Sequence, residues 1–243
     1  AAFAQTVKPF KEGERAVFLG NSITDGGHYH SYIWLYYMTR FPDMPIRVFN
    51  GGIGGDTAYD MNKRLDGDIF AMKPSVLMVT FGMNDSGYFE YNGDKPKEFG
   101  EQKYQESIKN YQQMEKRFKD LPDTRIVMVG TSPYDETVQL KENTPFKTKN
   151  ETIKRLVEYQ QESAAKNNWE FTDLNAPMTA INQQYQQKDP TFTLCGSDRI
   201  HPDNDGHMVM AYLFLKAQGF VGKEVADMEI NANKKQAVKS ENC

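Results

Sequence analysis

Ala16-Val17-Phe18-Leu19-Gly20-Asn21-Ser22-Ile23-Thr24 is the stretch that decides the fold. Four apolar residues run to a glycine, and a hydroxyl follows two positions later. A short, continuously apolar run bounded by a turn residue reads as a strand buried on both faces. A serine just past its C-terminal end lies where open α/β sheets carry their ligands. Far along the chain stands Asp198-Arg199-Ile200-His201, a carboxylate and an imidazole three residues apart. Serine, histidine and aspartate are the parts of an acyl-transfer site. Only a folded sheet brings the two ends of this chain together.

Four more runs read as buried strands: Arg47 to Asn50, Val76 to Phe81, Arg125 to Gly130 and Glu170 to Leu174. Helical stretches separate or follow them: His30 to Phe41, Asp56 to Met72, Gln102 to Leu121, Phe146 to Asn167, Leu174 to Gln187 and Asp203 to Gln218. In the third, Tyr104, Ile108, Tyr111, Met114 and Phe118 recur at helical spacing. This alternation predicts a three-layer α/β/α sandwich with a five-stranded parallel sheet. Right-handed crossovers then gather every strand's C-terminal end on one edge. Two loops longer than a connection requires reach that edge, Asp85 to Gly100 and Ser132 to Pro145.

The chain has 243 residues, enough for one large core, here expected over 15–221. At 39% hydrophobic and 26% charged it has an ordinary globular composition. A net charge of -4 argues against nucleic acid or an anionic membrane surface as partner. No apolar run approaches the ~20 residues that span a bilayer, so no stable membrane insertion is expected. Ala2-Phe3-Ala4 reads as the A-x-A end of an export signal, making 1–14 its remnant or an extended arm and the protein periplasmic or extracellular. Residues 222–243 are polar and Lys-rich, a surface tail or the start of a linker. Cys195 and Cys243 are compatible with a disulfide or with two free thiols.

Three strands end in glycine-bearing motifs: Gly20-Asn21-Ser22, then Asn50-Gly51-Gly52-Ile53-Gly54-Gly55-Asp56-Thr57, then Gly82-Met83-Asn84-Asp85. All fall on one sheet edge in the topology above. Acyl transfer needs a base to take the serine proton, and a neutral imidazole does this. A carboxylate holds that imidazole in one tautomer. Charge then develops on the substrate oxygen, and donors must point at it. The Ser22 N–H, an N–H of the glycine loop and the Asn84 amide are candidates. An amide donates without adding a titratable group.

These motifs, in this order, resemble the SGNH hydrolases, also called the GDSL esterase/lipase family, across about residues 15 to 220. The resemblance implies a flavodoxin-like SGNH hydrolase fold, with Ser22 as nucleophile, His201 as base and Asp198 as its orienter. It implies that Ser22, Gly55 and Asn84 form the oxyanion hole. His201-Pro202 followed by a helix also fits. The family's name-giving motif has Asp where this chain has Asn21, which keeps most of the hydrogen-bonding capacity. The reading is a carboxylic ester hydrolase acting through an acyl-enzyme, on a small-molecule or carbohydrate ester, with O-acetylated carbohydrate as the family-level substrate. A lipase or lysophospholipase is the rival within the family; a carbohydrate-binding module without catalysis is the rival outside it.

No cofactor or metal is expected. His28 and His30 lack a third ligand, and Asp203-Asn204-Asp205-Gly206 lacks calcium-loop spacing. The glycine loop fails the G-x-G-x-x-G pattern of dinucleotide sites, since position 57 is Thr. Asn21, Asp85, Tyr88 and Tyr134 are the candidate substrate contacts. Aromatics in the two long loops, Phe89 and Tyr91 included, either meet substrate or pack the loops down.

Overall fold

The computed structural model describes residues 6–142, 144–222 and 227–241. Ala2-Phe3-Ala4 and Cys243 lie outside them, so neither the export pattern nor a pairing of Cys195 is described. Five strands form one parallel sheet: β1 (Arg15–Gly20), β2 (Arg47–Gly52), β3 (Val76–Val79), β4 (Arg125–Gly130) and β5 (Glu170–Asp173). Their spatial order is β2-β1-β3-β4-β5, the flavodoxin-like arrangement. The order reverses beside β1, so the crevice opens where Ser22 stands. In register, Ala16 lies beside Val48 and Val76, and Leu19 beside Gly51 and Val79.

Alternation along the strands sends side chains to two cores. Ala16, Phe18, Val76, Met78, Val127 and Val129 face one; Val17, Leu19, Leu77, Val79, Ile126 and Met128 face the other. The helices are α1 (Ser22–Asp25), α2 (His28–Arg40), α3 (Ala58–Arg64), α4 (Pro96–Lys119), α5 (Lys149–Lys166), α6 (Asn175–Gln186) and α7 (Asn204–Ala217). α2, α6 and α7 cover the first face through Ile33, Tyr37, Met178, Met210 and Phe214. α3 and α4 cover the second through Met61, Tyr111, Met114 and Phe118. Burying such a side chain fully stabilises by roughly 1.5–3 kcal/mol. α5 contributes to both cores through Val157 and Ala164.

Several boundaries differ from the sequence reading. α4 begins at Pro96, ahead of the expected Gln102, because proline suits the first helical turn, where its missing N–H costs nothing. The expected helix through Met72 is α3 continued by a wide turn (Leu65–Ile69) and a tight one (Phe70–Met72). Gly67 lies in that wide turn, and glycine weakens regular helix. β3 stops at Val79. Val7 and Phe10 are buried, so the segment before β1 is packed at those points. Phe10 lies 5.0 Å from the Tyr37 ring and gives its N–H to the Tyr37 hydroxyl. Beyond residue 226 the chain forms an antiparallel hairpin, β6 (Asp227–Asn231) with β7 (Gln236–Glu241), where only a tail or linker was expected. Among the described residues no helix is long and apolar enough to cross a membrane.

Candidate active site

β1 delivers Ser22 to the sheet edge. Gly20 is required there, since an added Cβ would lie 2.1 Å from Thr24 Oγ1. Asn21 is buried, and its Oδ1 accepts the Ile23 N–H at 3.1 Å. That is helix capping, so Asn21 starts the short turn that presents Ser22. The first N–H groups of a helix have no partner within it. Among the described residues no acceptor takes the Ser22 N–H.

The Asp198-x-x-His201 segment folds so that both ends of the carboxylate are used. Asp198 Oδ1 accepts the backbone N–H of Ile200 and of His201, each at 2.9 Å. Its Oδ2 lies 2.6 Å from His201 Nδ1. This assigns the proton to Nδ1 and leaves Nε2 as acceptor. The Ser22 hydroxyl donates to that Nε2 at 2.7 Å. The hydrogen bond to Asp198 raises the His201 pKa, burial opposes it, and the carboxylate's charge adds to the rise. Burial pushes Asp198 up, but the hydrogen bonds from His201 and Ile200 outweigh it and leave the carboxyl below its ordinary range.

Gly55 has φ +85, a left-handed conformation that favours glycine. No acceptor among the described residues takes its N–H. Asn84 Nδ2 gives one hydrogen to the Asp56 carbonyl at 2.9 Å. An amide nitrogen has two, so one remains for a ligand. The Tyr88 hydroxyl donates to Asn84 Oδ1. The Asp56 carbonyl can only accept, and that fixes which end of the amide is nitrogen. Tyr88 thus holds a donor in place.

Asp85 and Tyr134, the other candidate contacts, are buried. Asp85 Oδ1 accepts from Ala58 N at 2.9 Å and Ser107 Oγ at 3.1 Å; Oδ2 accepts from Gly82 N at 2.9 Å. It therefore ties the Asn84 turn to the start of α3. Burial raises its pKa, against those hydrogen bonds. The Tyr134 hydroxyl accepts the Phe146 N–H at 2.9 Å and its ring stacks on Phe146 at 5.7 Å.

The sequence reading missed a clamp. Arg64 Nε donates to Asp56 Oδ2 at 2.6 Å, and its Nη2 reaches the carbonyls of Gly20 at 3.2 Å and Gly51 at 2.8 Å. One guanidinium thus joins the ends of β1 and β2 to the residue after Gly55. The basic residue eight positions after the glycine-loop aspartate was the available signal.

The remaining histidines lie near one another. His30 Nε2 meets the Thr24 carbonyl at 3.2 Å, and the rings of His28 and His207 are 5.0 Å apart. Among the described residues no three His, Cys, Asp or Glu side chains stand together as a metal site would need. Cys195 is buried, has no disulfide partner among the described residues, and its Sγ donates to the Pro133 carbonyl at 3.2 Å.

Residues 18–209 match the model of the GDSL-like lipase/acylhydrolase family. An acetylxylan esterase of Geobacillus stearothermophilus is 27% identical over 224 residues, covering 86% of this chain and 95% of that one. The structure of a catalytic mutant of the esterase Axe2 from the same organism superposes with a TM-score of 0.69 at 24% identity, covering 87% of this chain and 96% of the other. The solved structure of BT4096, a gut microbial diltiazem-metabolizing enzyme, is 85% identical with a TM-score of 0.94 and covers 98% of this chain. This chain spans only 54% of that protein's length. By the family match across most of its length, the chain belongs to the GDSL-like lipase/acylhydrolase family.

Proposed function

We propose that this chain is a serine esterase that hydrolyses carboxylic esters through an acyl-enzyme, removing acetyl groups from O-acetylated carbohydrate. The observation that carries the reading is the continuous line from Ser22 Oγ to His201 Nε2 at 2.7 Å and from His201 Nδ1 to Asp198 at 2.6 Å. Ser22 attacks the ester carbonyl as His201 takes its proton. The imidazolium that forms is stabilised by Asp198, whose lowered pKa keeps it ionised. The N–H groups of Ser22 and Gly55 and the free hydrogen of Asn84 receive the oxyanion. His201 then protonates the departing alcohol, and water, activated by the same imidazole, releases the acyl group from Ser22.

Substrate class is supported by the relatives. The relative from Geobacillus stearothermophilus is an acetylxylan esterase, and acetylxylan carries its acetyl esters on sugar hydroxyls. An apolar groove of about 760 Å³ lies between α2 and α7, lined by Leu35, Met208, Tyr212 and Phe220. None of Ser22, Gly55, Asn84 or His201 lines it, which favours a short acyl group over a lipid chain. The test is turnover of 4-nitrophenyl acetate, acetylated xylo-oligosaccharides and 4-nitrophenyl palmitate by the wild type and Ser22→Ala. Acetyl esters should turn over, the palmitate hardly at all, and Ser22→Ala should lose at least about 1000-fold. No turnover of any ester, or equal turnover by Ser22→Ala, overturns the esterase; palmitate preferred to acetate overturns the acyl-length reading.

A further inference from the structure

Lys149 is fully buried, yet it belongs to none of the site motifs. Its Nζ donates to the carbonyl of Met83 at 2.7 Å, to Ser86 Oγ at 2.6 Å and to the carbonyl of Gly87 at 2.6 Å. Three acceptors match the three hydrogens of an ammonium. Two of them flank Asn84 in the turn that carries it. The same Nζ sits over the Tyr88 ring, 4.0 Å from its centroid. Tyr88 in turn donates to Asn84 Oδ1.

Several groups place this lysine. It opens α5, and Glu136 from the preceding loop accepts the N–H of Thr148 at 2.9 Å and of Asn150 at 2.6 Å. A carboxylate on these N–H groups suits a helix start. Thr148 has φ +69, so that start is conformationally costly and depends on such contacts. The groups facing Nζ are the Asp85 and Glu136 carboxylates and the Tyr88 and Tyr134 rings. Burial pulls the ammonium down to about 7, while Asp85 and Glu136 hold it up. Burying a lone cation is costly unless it is paired and hydrogen-bonded. The chain meets that cost directly beneath the oxyanion donor.

We infer that Lys149 is a positioning residue for the oxyanion hole: it fixes the Met83–Gly87 turn from below and strengthens, through Tyr88, the donor presented by Asn84. The inference rests on the esterase reading and adds to it. Two effects act together. The ammonium takes two carbonyls on either side of Asn84, which sets the height and tilt of the amide. In its charged form, the ammonium over the ring also makes the phenol a better hydrogen-bond donor. A stronger bond to Asn84 Oδ1 polarises the amide, and its free N–H becomes a better donor in turn. Both effects matter most when charge has developed on the substrate oxygen. They should therefore appear in kcat and little in KM.

The experiment is a double-mutant cycle of Lys149→Met and Asn84→Ala, read with 4-nitrophenyl acetate and with a boronic acid that forms a tetrahedral adduct on Ser22. Lys149→Met alone should lower kcat about 10- to 100-fold with KM within about 3-fold, and weaken the boronate in parallel. In the Asn84→Ala background the same change should cost less than about 3-fold, because the group it positions is gone. Equal losses in both backgrounds overturn the inference, as does a loss confined to KM. If Lys149→Met does not fold, Lys149→Gln goes through the same cycle; its amide keeps two donors, and retained fold with undiminished kcat likewise overturns the inference. A wild type with no turnover would instead remove the esterase reading itself. In that case boronate binding to Ser22 still reports the positioning, lost in Lys149→Gln if the inference holds.

Discussion

Asp198 holds His201 at two points, with Oδ2 2.6 Å from the ring Nδ1 and Oδ1 accepting the backbone N–H at 2.9 Å. The carboxylate therefore sets both the ring's tautomer and its position against Ser22. It also favours the imidazolium, so the His201 pKa lies above its ordinary 6.5. The base works only when neutral. kcat/KM should fall as pH drops through a pKa above 6.5, and the fall should follow one proton. Asp198→Asn removes the charge that raises this pKa. Its acid limb should move to lower pH while the plateau drops by about 1000- to 10,000-fold. A pH–rate series on both proteins checks this; an unmoved limb would detach Asp198 from the base.

Tyr88 and Asn84 form the second testable pair. Removing the hydroxyl in Tyr88→Phe leaves Asn84 Oδ1 without its partner and lets the amide turn away from its ligand. kcat should fall about 10-fold, with little change in thermal midpoint. Asn84→Ala, which deletes the donor itself, should cost about 100- to 1000-fold. Steady-state kinetics of both variants on one acetyl ester decides. A Tyr88→Phe enzyme at full rate would mean that Asp56 alone holds the amide.

Much of this arrangement is legible in the sequence, for local reasons. The run from Ala16 to Gly20 is apolar at every step because both faces of β1 are covered, and such a run needs no partner to be recognised. Ser22, Asn84, Asp198 and His201 stand in short motifs whose chemistry is readable at fixed spacing. Tyr88 was legible as an aromatic near the edge, but its hydrogen bond to Asn84 depends on how the turn after β3 folds. Arg64 was silent because its carbonyl partners, Gly20 and Gly51, become neighbours only when β1 pairs with β2. The hairpin over 227–241 was missed because Met228, Ile230 and Val238 are few and exposed, and a short polar hairpin has no strong alternation to read.

Arg64 joins three carriers of the site, and it is mostly buried, with side-chain exposures of 13% for Arg64 and 10% for Asp56. Arg64→Met leaves the Asp56 carboxylate without its cation. Burial already raises the Asp56 pKa, and Arg64 opposes that rise. Without the guanidinium, Asp56 should protonate more readily, which limits the cost. We expect a loss of about 3 kcal/mol in urea unfolding, at the low end for breaking a buried pair. kcat should fall as well, since Asp56 adjoins Gly55 and its carbonyl holds Asn84. Full stability in the variant would show that the backbone alone fixes the glycine loop.

His207 gives the stability of the fold a pH dependence of its own. The ring is buried, lies 5.0 Å from His28 and runs parallel to Tyr29, and its Nδ1 has no hydrogen-bond partner among the described residues. Burial first, then the nearby His28, His30 and His201, lowers its pKa to about 4. Above 6.5 the imidazole is neutral in both folded and unfolded chains and adds no slope. Between 6.5 and about 4 the unfolded chain takes up a proton that the native ring refuses, so stability is lost as pH falls. His201, with its raised pKa, has the opposite sign and is present in every variant. His207→Phe keeps the stacking on Tyr29 and cannot titrate. Its thermal midpoint relative to wild type should therefore rise from pH 7 to pH 5. Parallel midpoints across that range would show that His207 already takes up its proton in the native state.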